Sequence, residues 1–356
     1  MYKVSIITEY SGLGGGETSL LNLCSKLREN IDVQVITMTK GKLNYRLDEL
    51  DIANISINYK KLIRSGQLKN LMENLRVVSE SRILILNSKS CIYLVPFIKY
   101  INRNLKIIYI EHSNWTKFKY IELFLLKKIN KILCVSNAVE ENLNKQLKLN
   151  NCLYYPLSID CRDKNIKFKD DDGYVKVAMI GRFQEIKGQD LFVEIAYNLK
   201  DNDRYKFYII GGKPFGTTEE MEYENSIINK INNYGLKNIS MLGERNDIDD
   251  LLESEIDLLL IPSVNESFGM VALEAAKSGV PFISSCQCEG PTEIAKNLKV
   301  KECIVENRNY KEFIDKIIEL SSKEKYSEIS EKLYRNIDIY DVNKSVDIIL
   351  KLAEEN

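Results

Sequence analysis

The sequence has no hydrophobic run long enough to cross a bilayer. Apolar runs such as residues 83–86 and 258–261 are short, whereas a membrane-spanning helix needs about 20 apolar residues. We therefore expect no transmembrane helix.

Histidine is almost absent, with one residue in 356, which leaves few candidates for imidazole chemistry.

Signals for secretion are also missing. Strand-like residues 3–8 come almost at once, without the charged region, apolar region and cleavage site of a signal peptide. The eight cysteines are scattered without a short repeating framework, which fits reduced thiols in a cytoplasm better than disulfides. We therefore expect a cytoplasmic protein.

Stretches rich in proline, glycine and serine, which mark disordered linkers, are absent too. The chain is 44% hydrophobic and 28% charged, a composition typical of globular proteins. A soluble chain of 356 residues usually divides into two domains rather than building one core. We expect two folded domains.

The net charge is close to zero, but the two halves differ. Residues 1–160 contain 23 Lys+Arg and 14 Asp+Glu, and the remaining residues contain 27 and 37, so the halves carry about +9 and −10. A basic half can bind an anionic partner such as a phosphate-bearing lipid or a membrane surface, or it can be a solvated face. Both interpretations stay open here, and we expect no nucleic-acid partner.

Short β-branched runs alternate with helix-length segments along both halves. They occupy residues 3–8, 33–37, 54–58, 83–86, 106–111 and 131–135, and then 175–180, 206–211, 238–241, 257–261, 281–284 and 303–305. This alternation predicts βαβ units and one parallel sheet in each half. The polar stretch 167–173 ends in glycine and fits an interdomain connection, so we place the boundary near residues 160 to 174.

The predicted fold class is therefore α/β, with two Rossmann-like parallel-sheet domains facing each other across a cleft. Ligands of such sheets bind beyond the carboxyl ends of the strands. The glycine-rich loop 11–17 lies at such a position, between strand 3–8 and a helical pattern. Its backbone N–H groups could approach an anion, although a tight structural turn explains the loop equally well.

A second glycine site carries two cations. Gly181 and Arg182 follow the first strand of the second half, and Lys187 and Gly188 come five residues further on. Arginine offers a planar fork and lysine a compact charge, so the pair could clamp and neutralise a diphosphate. The alternative is a solvated basic loop, but the position at the carboxyl end of a strand favours phosphate binding.

A third motif follows the apolar strand 257–261. Ser267 or Glu266 is predicted to cap a helix whose first N–H groups, around residues 268–270, face an anionic or hydroxyl-rich ligand. Glu274 is expected on the same side of that helix, about 10 Å along its axis. The alternative is one capping glutamate and one surface glutamate.

Taken together, the motifs resemble those of the family-4 retaining glycosyltransferases, which have the GT-B fold. The resemblance covers nearly the whole chain and includes the glycine loop, Val135 and Ser136 before a helix, Gly-Arg with Lys-Gly five residues on, and the pair Glu266 and Glu274 with seven residues between. The last two features are specific, and the others support them.

The resemblance implies a nucleotide-sugar donor domain at residues 174–337. Arg182 and Lys187 would bind the donor diphosphate, Glu266 would hold the sugar, and Glu274 would take the ribose hydroxyls. The other donor-binding positions that it implies are Gly15, Gly16, Gly181, Glu244, Arg245, Ser267, Phe268, Gly269, Met270 and Val271, with the nucleobase near Glu244 and Arg245.

The resemblance also implies an acceptor domain at residues 1–160, completed by a final helix at about 338–356 that crosses back onto it. His112, the single histidine, ends strand 106–111 and takes the place of the active-site histidine of the family. By itself, a histidine at a strand end is more often a structural hydrogen-bonding group. In the family context, we predict that His112 helps to position the reacting sugar.

No metal or other cofactor is expected. Cys286 and Cys288 make a poor zinc site because zinc usually has four ligands, so we interpret them as free thiols. The Asp-Asn-Asp sequence at 201–203 is interpreted as a turn. Enzymes of the resembled family need no metal, since arginine, lysine and helix N–H groups replace it.

The aromatic and basic segment 115–128 leaves two interpretations open. It could lie on an anionic membrane, or it could be an ordinary crossover helix with one buried face that connects two strands of the sheet.

The resulting functional hypothesis is transfer of a hexose or N-acetylhexosamine from a UDP-sugar to an acceptor hydroxyl, with the anomeric configuration retained. The catalytic residues would be His112, Glu266, Arg182 and Lys187. The acceptor would be a glycan or lipid-linked glycan of a bacterial capsule or O-antigen, at the inner face of the cell membrane. Two alternatives are a UDP-sugar 2-epimerase of the same fold and a non-catalytic subunit that binds nucleotide sugar.

Overall fold

The computed structural model describes residues 2–147, 151–167, 173–213 and 216–355. The chain divides into two compact units, one of Met1–Asp160 with Tyr340–Asn356 and one of Cys161–Ile339. Most of the predicted interdomain stretch, residues 168–172, lies outside the described residues.

Within the described residues, the first unit contains a seven-stranded parallel sheet in the order β3-β2-β1-β4-β5-β6-β7. Its strands are β1 (Lys3–Thr8), β2 (Asp32–Thr37), β3 (Ala53–Ser56), β4 (Ser81–Leu86), β5 (Lys106–Glu111), β6 (Lys131–Cys134) and β7 (Cys152–Tyr154). The helices are α1 (Gly15–Leu27), α2 (Lys42–Glu49), α3 (Tyr59–Arg64), α4 (Leu68–Leu75), α5 (Val95–Ile101), α6 (Tyr120–Leu126), α7 (Asn137–Leu147) and, at the C-terminus, α15 (Val342–Glu354).

The described part of the second unit has a six-stranded parallel sheet in the order β10-β9-β8-β11-β12-β13. Its strands are β8 (Val175–Ile180), β9 (Tyr205–Ile210), β10 (Ile239–Gly243), β11 (Leu258–Ile261), β12 (Phe282–Ser285) and β13 (Ile304–Val305). The helices are α8 (Gln189–Asn198), α9 (Thr218–Asn233), α10 (Ile248–Ser254), α11 (Met270–Lys277), α12 (Glu289–Asn297), α13 (Tyr310–Leu320) and α14 (Lys323–Asn336).

The central strands are apolar along their length. Residues 83–86 of β4 and residues 258–260 of β11 are almost completely buried. Strands of a parallel sheet are covered by helices on both faces, so they carry continuous rather than alternating hydrophobic runs. The prediction of two Rossmann-like parallel sheets is confirmed. The short strand β7 was not predicted, because three residues between a helix and a loop give almost no periodic signal.

In each sheet, the order in which successive strands are added changes direction once. In the first sheet, β1 lies between β2 and β4; in the second, β8 lies between β9 and β11. The connections on the two sides of such a strand leave in opposite directions, which opens a crevice at its carboxyl end. The glycine loop follows β1, and the loop with Arg182 and Lys187 follows β8, so both motifs begin at these crevices.

The C-terminal helix α15 belongs to the first unit. Val342, Val346, Ile349 and Leu352, which have helical spacing in the sequence, are buried. The end of the helix is also held by polar contacts, because the Lys106 side chain donates a hydrogen bond to the Leu352 carbonyl oxygen at 2.9 Å. The last residues of the chain therefore contribute to the hydrophobic core of the first unit.

In the part of the chain that the structure describes, no helix combines the length and the apolar character needed to cross a bilayer.

Substituting Ile349 with alanine should destabilise the first unit. The side chain is fully buried on α15, and removing three carbon atoms from a packed core costs about 2–5 kcal/mol of the free energy of unfolding. Urea denaturation measures the loss. The control is Lys351→Ala on the exposed side of the same helix, where a change below about 0.5 kcal/mol is expected; equal losses in the two variants would contradict the packing of α15.

Candidate active site

The glycine loop of the first unit forms the start of α1. Gly14 is the N-cap residue, with extended backbone, and Gly15 and Gly16 are the first two helical residues. The first helical hydrogen bond runs from the Thr18 N–H to the Gly14 carbonyl oxygen at 2.9 Å. The N–H groups of Gly15 and Gly16 have no partners within the helix, so this end can donate hydrogen bonds to an anion or a hydroxyl oxygen.

His112 lies beside this glycine loop. A Cβ atom placed on Gly16 would be 3.9 Å from Nδ1 of the imidazole, which is an ordinary van der Waals distance, so the ring lies directly beside the helix start. Nε2 of His112 lies 2.9 Å from Oδ1 of Asn87, and the Asn87 N–H is hydrogen-bonded to the Ile7 carbonyl oxygen at 2.8 Å. The ends of β1, β4 and β5 therefore converge on the imidazole.

The environment of His112 keeps it neutral. Burial lowers the pKa of the imidazole to about 4, because the charged form loses hydration. Because Oδ1 of Asn87 accepts a hydrogen bond, Nε2 of His112 is the protonated nitrogen and donates that bond. Nδ1 is then a hydrogen-bond acceptor facing Gly16. A neutral imidazole of this kind can orient a substrate hydroxyl.

A second polar group lies at the same edge of the first sheet and was not predicted. The Glu9 carboxylate, directly after β1, is ion-paired with the Lys60 ammonium and accepts a hydrogen bond from the Ser90 hydroxyl. The Glu9 N–H donates to the Ser88 hydroxyl oxygen at 3.0 Å. Polar residues at the ends of two neighbouring strands were the available signal, but Lys60 reaches them from a distant part of the chain.

In the second unit, backbone hydrogen bonds join the segments that follow three neighbouring strands. The Val264 N–H, after β11, donates to the Ile186 carbonyl oxygen, after β8, at 2.8 Å. The Gly290 N–H, after β12, donates to the Glu266 carbonyl oxygen at 2.9 Å. The predicted diphosphate and sugar motifs are therefore parts of one hydrogen-bonded surface.

Lys187 and Glu266 form the electrostatic centre of this surface. The Lys187 ammonium is ion-paired with Oε1 of Glu266, and both side chains are largely buried, with 20% and 16% of their surface exposed. The Ser263 hydroxyl donates to the same carboxylate oxygen at 3.2 Å. Reduced solvent screening strengthens such a pair, which holds the lysine towards the loop after β11.

Close packing and hydrogen bonds fix the loop that contains Arg182. Gly188 has a φ of +79°, and a Cβ there would lie 2.2 Å from the Pro262 carbonyl oxygen, so only glycine fits. That carbonyl oxygen accepts a hydrogen bond from Nε of Arg308 at 2.7 Å. Arg182 is half-buried, and its carbonyl oxygen accepts from the Gln189 side chain at 2.7 Å. Arg308 was not singled out from the sequence, although it follows the strand β13.

The predicted helix cap is wrong. The helix α11 begins at Met270, its N-cap residue is Gly269 with a φ of 91°, and no side chain caps it. Ser267 and Glu266 precede this turn, so the expected placement of Ser267 and Glu274 along one helix face also fails. Gly269 adopts a left-handed conformation, which glycine takes without strain, immediately before the helix starts.

The remaining residues of this motif are buried or half-buried in the second unit. Phe268 and Met270 are buried, and Val271 is half-buried. Glu274 lies in the second turn of α11. Burial, and next the charge of Asp249, raise the pKa of its carboxyl group to about 7, so this carboxyl group exchanges its proton near neutral pH.

The position predicted for the nucleobase is exposed to solvent. Glu244 and Arg245 follow β10 and are exposed. The Arg245 guanidinium forms two hydrogen bonds with the Asp247 carboxylate, at 2.8 and 2.5 Å. Gly181, at the end of β8, is hydrogen-bonded through its N–H to the Ile210 carbonyl oxygen at 2.9 Å.

The described residues contain no group of three or more histidine, cysteine, aspartate or glutamate side chains placed to hold a metal ion. Cys286 is an exposed free thiol and Cys288 a buried one. That the reaction needs no metal or cofactor stays a prediction.

Comparison with protein families gives two matches that together cover most of the chain. Residues 13–154 match the model described as Glycosyltransferase Family 4. Residues 162–337 match the model described as Glycosyl transferases group 1.

Curated relatives align over part of the chain. A 41.2 kDa protein in the cps region of Klebsiella pneumoniae is 29% identical over 54% of this chain and 56% of its own length. An Escherichia coli UDP-Gal:alpha-D-GlcNAc-diphosphoundecaprenol alpha-1,3-galactosyltransferase is 24% identical over 66% of this chain and 62% of its own length. The chain thus spans little more than half the length of these relatives.

Solved structures match over the whole chain. The crystal structure of Anabaena HepE in complex with UDP and glucose has a TM-score of 0.82 at 18% identity and covers 99% of both chains. The crystal structure of TarM has a TM-score of 0.76 at 16% identity and covers 100% of this chain and 99% of its own. With its two Rossmann-like units, the protein has the GT-B fold. Within that class, the chain belongs to the family-4-type glycosyltransferases.

The single histidine allows a direct test of the environment of His112. Its imidazole proton resonance should titrate with a pKa well below 6.5, near 4, when followed by NMR in the folded protein. Between these two pH values the unfolded chain binds a proton that the folded chain does not, so stability should fall as the pH falls through this window. The control is the same resonance in urea, and a folded-state midpoint near 6.5 would contradict the burial.

Proposed function

We propose that this glycosyltransferase moves a hexose or N-acetylhexosamine from a UDP-sugar to a hydroxyl of a glycan or lipid-linked glycan, with retention at the anomeric carbon. The setting is assembly of a bacterial surface polysaccharide such as a capsule or O-antigen, at the inner face of the membrane. The observation that carries the proposal is the Lys187–Glu266 pair on the joined loops after β8 and β11.

The matched proteins support the choice of donor and acceptor. HepE has been crystallised with UDP and with UDP-glucose, and the Escherichia coli relative is named for transfer from UDP-Gal to a diphosphoundecaprenol-linked sugar. The Klebsiella relative is named for a cps region. We propose the same kind of donor, acceptor and setting for the present chain.

The Lys187–Glu266 pair suits a sugar diphosphate in two ways. The lysine ammonium offers three donors, of which Glu266 uses one, so phosphate oxygens can take the others. The carboxylate accepts from Lys187 and from Ser263 and has lone pairs left for a sugar hydroxyl. In this proposal, a phosphate contact to Lys187 lies beside a sugar contact to Glu266.

Transfer then depends mainly on electrostatic stabilisation of the leaving group. The bond between the anomeric carbon and the diphosphate oxygen breaks, the acceptor oxygen bonds to the same face of that carbon, and the acceptor proton passes to the departing diphosphate. Arg182, Lys187 and the start of α11 stabilise the negative charge that develops. Glu266 orients the donor sugar, and Nδ1 of His112 accepts a hydrogen bond from a substrate hydroxyl.

A donor screen tests the proposal. The protein is incubated with a panel of UDP-sugars and simple glycoside or polyprenyl-diphosphate acceptors, and UDP release and the anomeric configuration of the product are measured by NMR. An α-linked product from an α-linked donor is expected. Epimerised UDP-sugar formed without acceptor would favour a 2-epimerase, and donor binding without turnover would favour a non-catalytic subunit.

Replacing Arg182 with alanine should lower kcat by on the order of 100-fold, because one preorganised charge donor to the leaving group is lost. The matched control is Arg335→Ala, which removes an exposed arginine from α14 and should leave the rate unchanged. Steady-state rates of UDP release measure both variants. Transfer at the parental rate by the Arg182 variant would exclude it from the diphosphate site.

Removal of divalent metals should leave the rate of transfer unchanged within about two-fold, since lysine, arginine and helix N–H groups neutralise the diphosphate. The measurement compares UDP release before and after dialysis against EDTA, with Mg²⁺ added back as the control. A loss of activity that Mg²⁺ restores would show that the site depends on a metal.

A further inference from the structure

An apolar surface with a basic rim lies on α6 and on the residues that flank it. Trp115, Tyr120, Ile121 and Phe124 have 53%, 94%, 50% and 54% of their surfaces exposed. The exposed lysines of the same segment are Lys117, Lys119, Lys127 and Lys128. We call these eight residues the α6 patch.

The helix α6 is apolar on two sides. Its inner side buries Leu125 and Leu126, as expected for a crossover helix that covers a sheet. Its outer side carries Tyr120 and Phe124, which are four residues apart and therefore neighbours on one face. A helix that only covers a sheet presents charged and polar residues to water, so the crossover role does not account for the outer aromatic side chains.

The charge facing solvent in this segment has one sign. Glu122 is the only acidic residue among residues 115–128, and its side chain is 5% exposed and ion-paired with Lys89 at 3.2 Å. It also accepts a hydrogen bond from the Tyr93 hydroxyl at 2.9 Å. The one negative charge is thus neutralised inside the unit, while the four lysines remain at the surface.

We propose that the α6 patch is the docking surface of this protein for an anionic lipid bilayer. Tryptophan and tyrosine favour the interface between headgroups and acyl chains, and lysines near them are attracted to anionic lipids. A protein partner of mixed charge would not require a rim without acidic groups. The inference rests on the proposed function in one respect, since a lipid-linked acceptor gives the enzyme a reason to reside at a membrane.

The chain carries its own probe for this contact. Trp115 is the single tryptophan and belongs to the α6 patch. On mixing with vesicles of phosphatidylcholine and phosphatidylglycerol, its fluorescence emission should shift to the blue and become less accessible to iodide. Vesicles of phosphatidylcholine alone should give a much smaller shift, and salt should reverse the binding because it screens the lysines.

Two double variants separate the apolar and basic parts of the patch. Tyr120→Ser with Phe124→Ser, and Lys127→Glu with Lys128→Glu, should each weaken binding in vesicle flotation by at least about ten-fold, since one basic residue near an anionic surface contributes about five-fold. Unchanged thermal unfolding shows that the variants fold.

Matched controls come from other exposed positions of the first unit. Tyr45→Ser removes an aromatic ring that is 58% exposed, and Lys40→Glu with Lys69→Glu reverses two exposed lysines. Both should bind vesicles as the parent does. Equal losses in the controls and in the patch variants would overturn the assignment, because binding would then reflect general charge or hydrophobicity.

Other outcomes also decide the question. Absence of binding to anionic vesicles, or equal binding to neutral and anionic ones, overturns the proposal; a dimer abolished by the Tyr120 and Phe124 substitutions would assign the patch to a second copy of the chain instead. Vesicle binding needs no donor or acceptor. Binding without sugar transfer would therefore refute the proposed function alone, and transfer to a soluble acceptor without binding would refute the docking surface alone.

Discussion

The ion pair between Lys187 and Glu266 links two loops that are 79 residues apart in the chain. It forms because β8 and β11 are neighbours in a parallel sheet, so their carboxyl ends meet at one edge. A backbone hydrogen bond from Val264 joins the same two loops, and one from Gly290 joins the loop after β11 to the segment after β12. A lysine fixed in this way needs little reorganisation to meet a phosphate, which is the condition under which electrostatic stabilisation is most effective.

The first unit uses the same construction for different chemistry. Its strand reversal next to β1 brings together the glycine start of α1, Asn87 and His112. The second unit presents cations, whereas this one presents a neutral imidazole and helix N–H groups, with Glu9 and Lys60 paired nearby. The residues that follow the strands thus give the two sheet edges different chemistry, cationic in the second unit and neutral in the first.

Part of the basic charge of residues 1–160 lies on one surface of the first unit. The excess of lysine and arginine in residues 1–160 includes four exposed lysines around the aromatic side chains of α6. Burial of Glu122 in an ion pair removes the one opposing charge from this surface. A basic surface that also exposes aromatic rings differs from an ordinary solvated face, which presents polar and charged side chains to water.

The amino-acid sequence by itself determined the two sheets, all of their strands except β7, and the positions of the three loops, because apolar runs bounded by glycine indicate burial locally. It also placed Lys187, Glu266 and His112 at strand ends. Only the tertiary structure decided which of these side chains meet, that Gly269 rather than Ser267 or Glu266 is the N-cap residue of α11, and that Asn87, Lys60 and Arg308 lie at the candidate sites. These contacts depend on strand order and on backbone conformation at single residues, and neither leaves a periodic signal in a sequence.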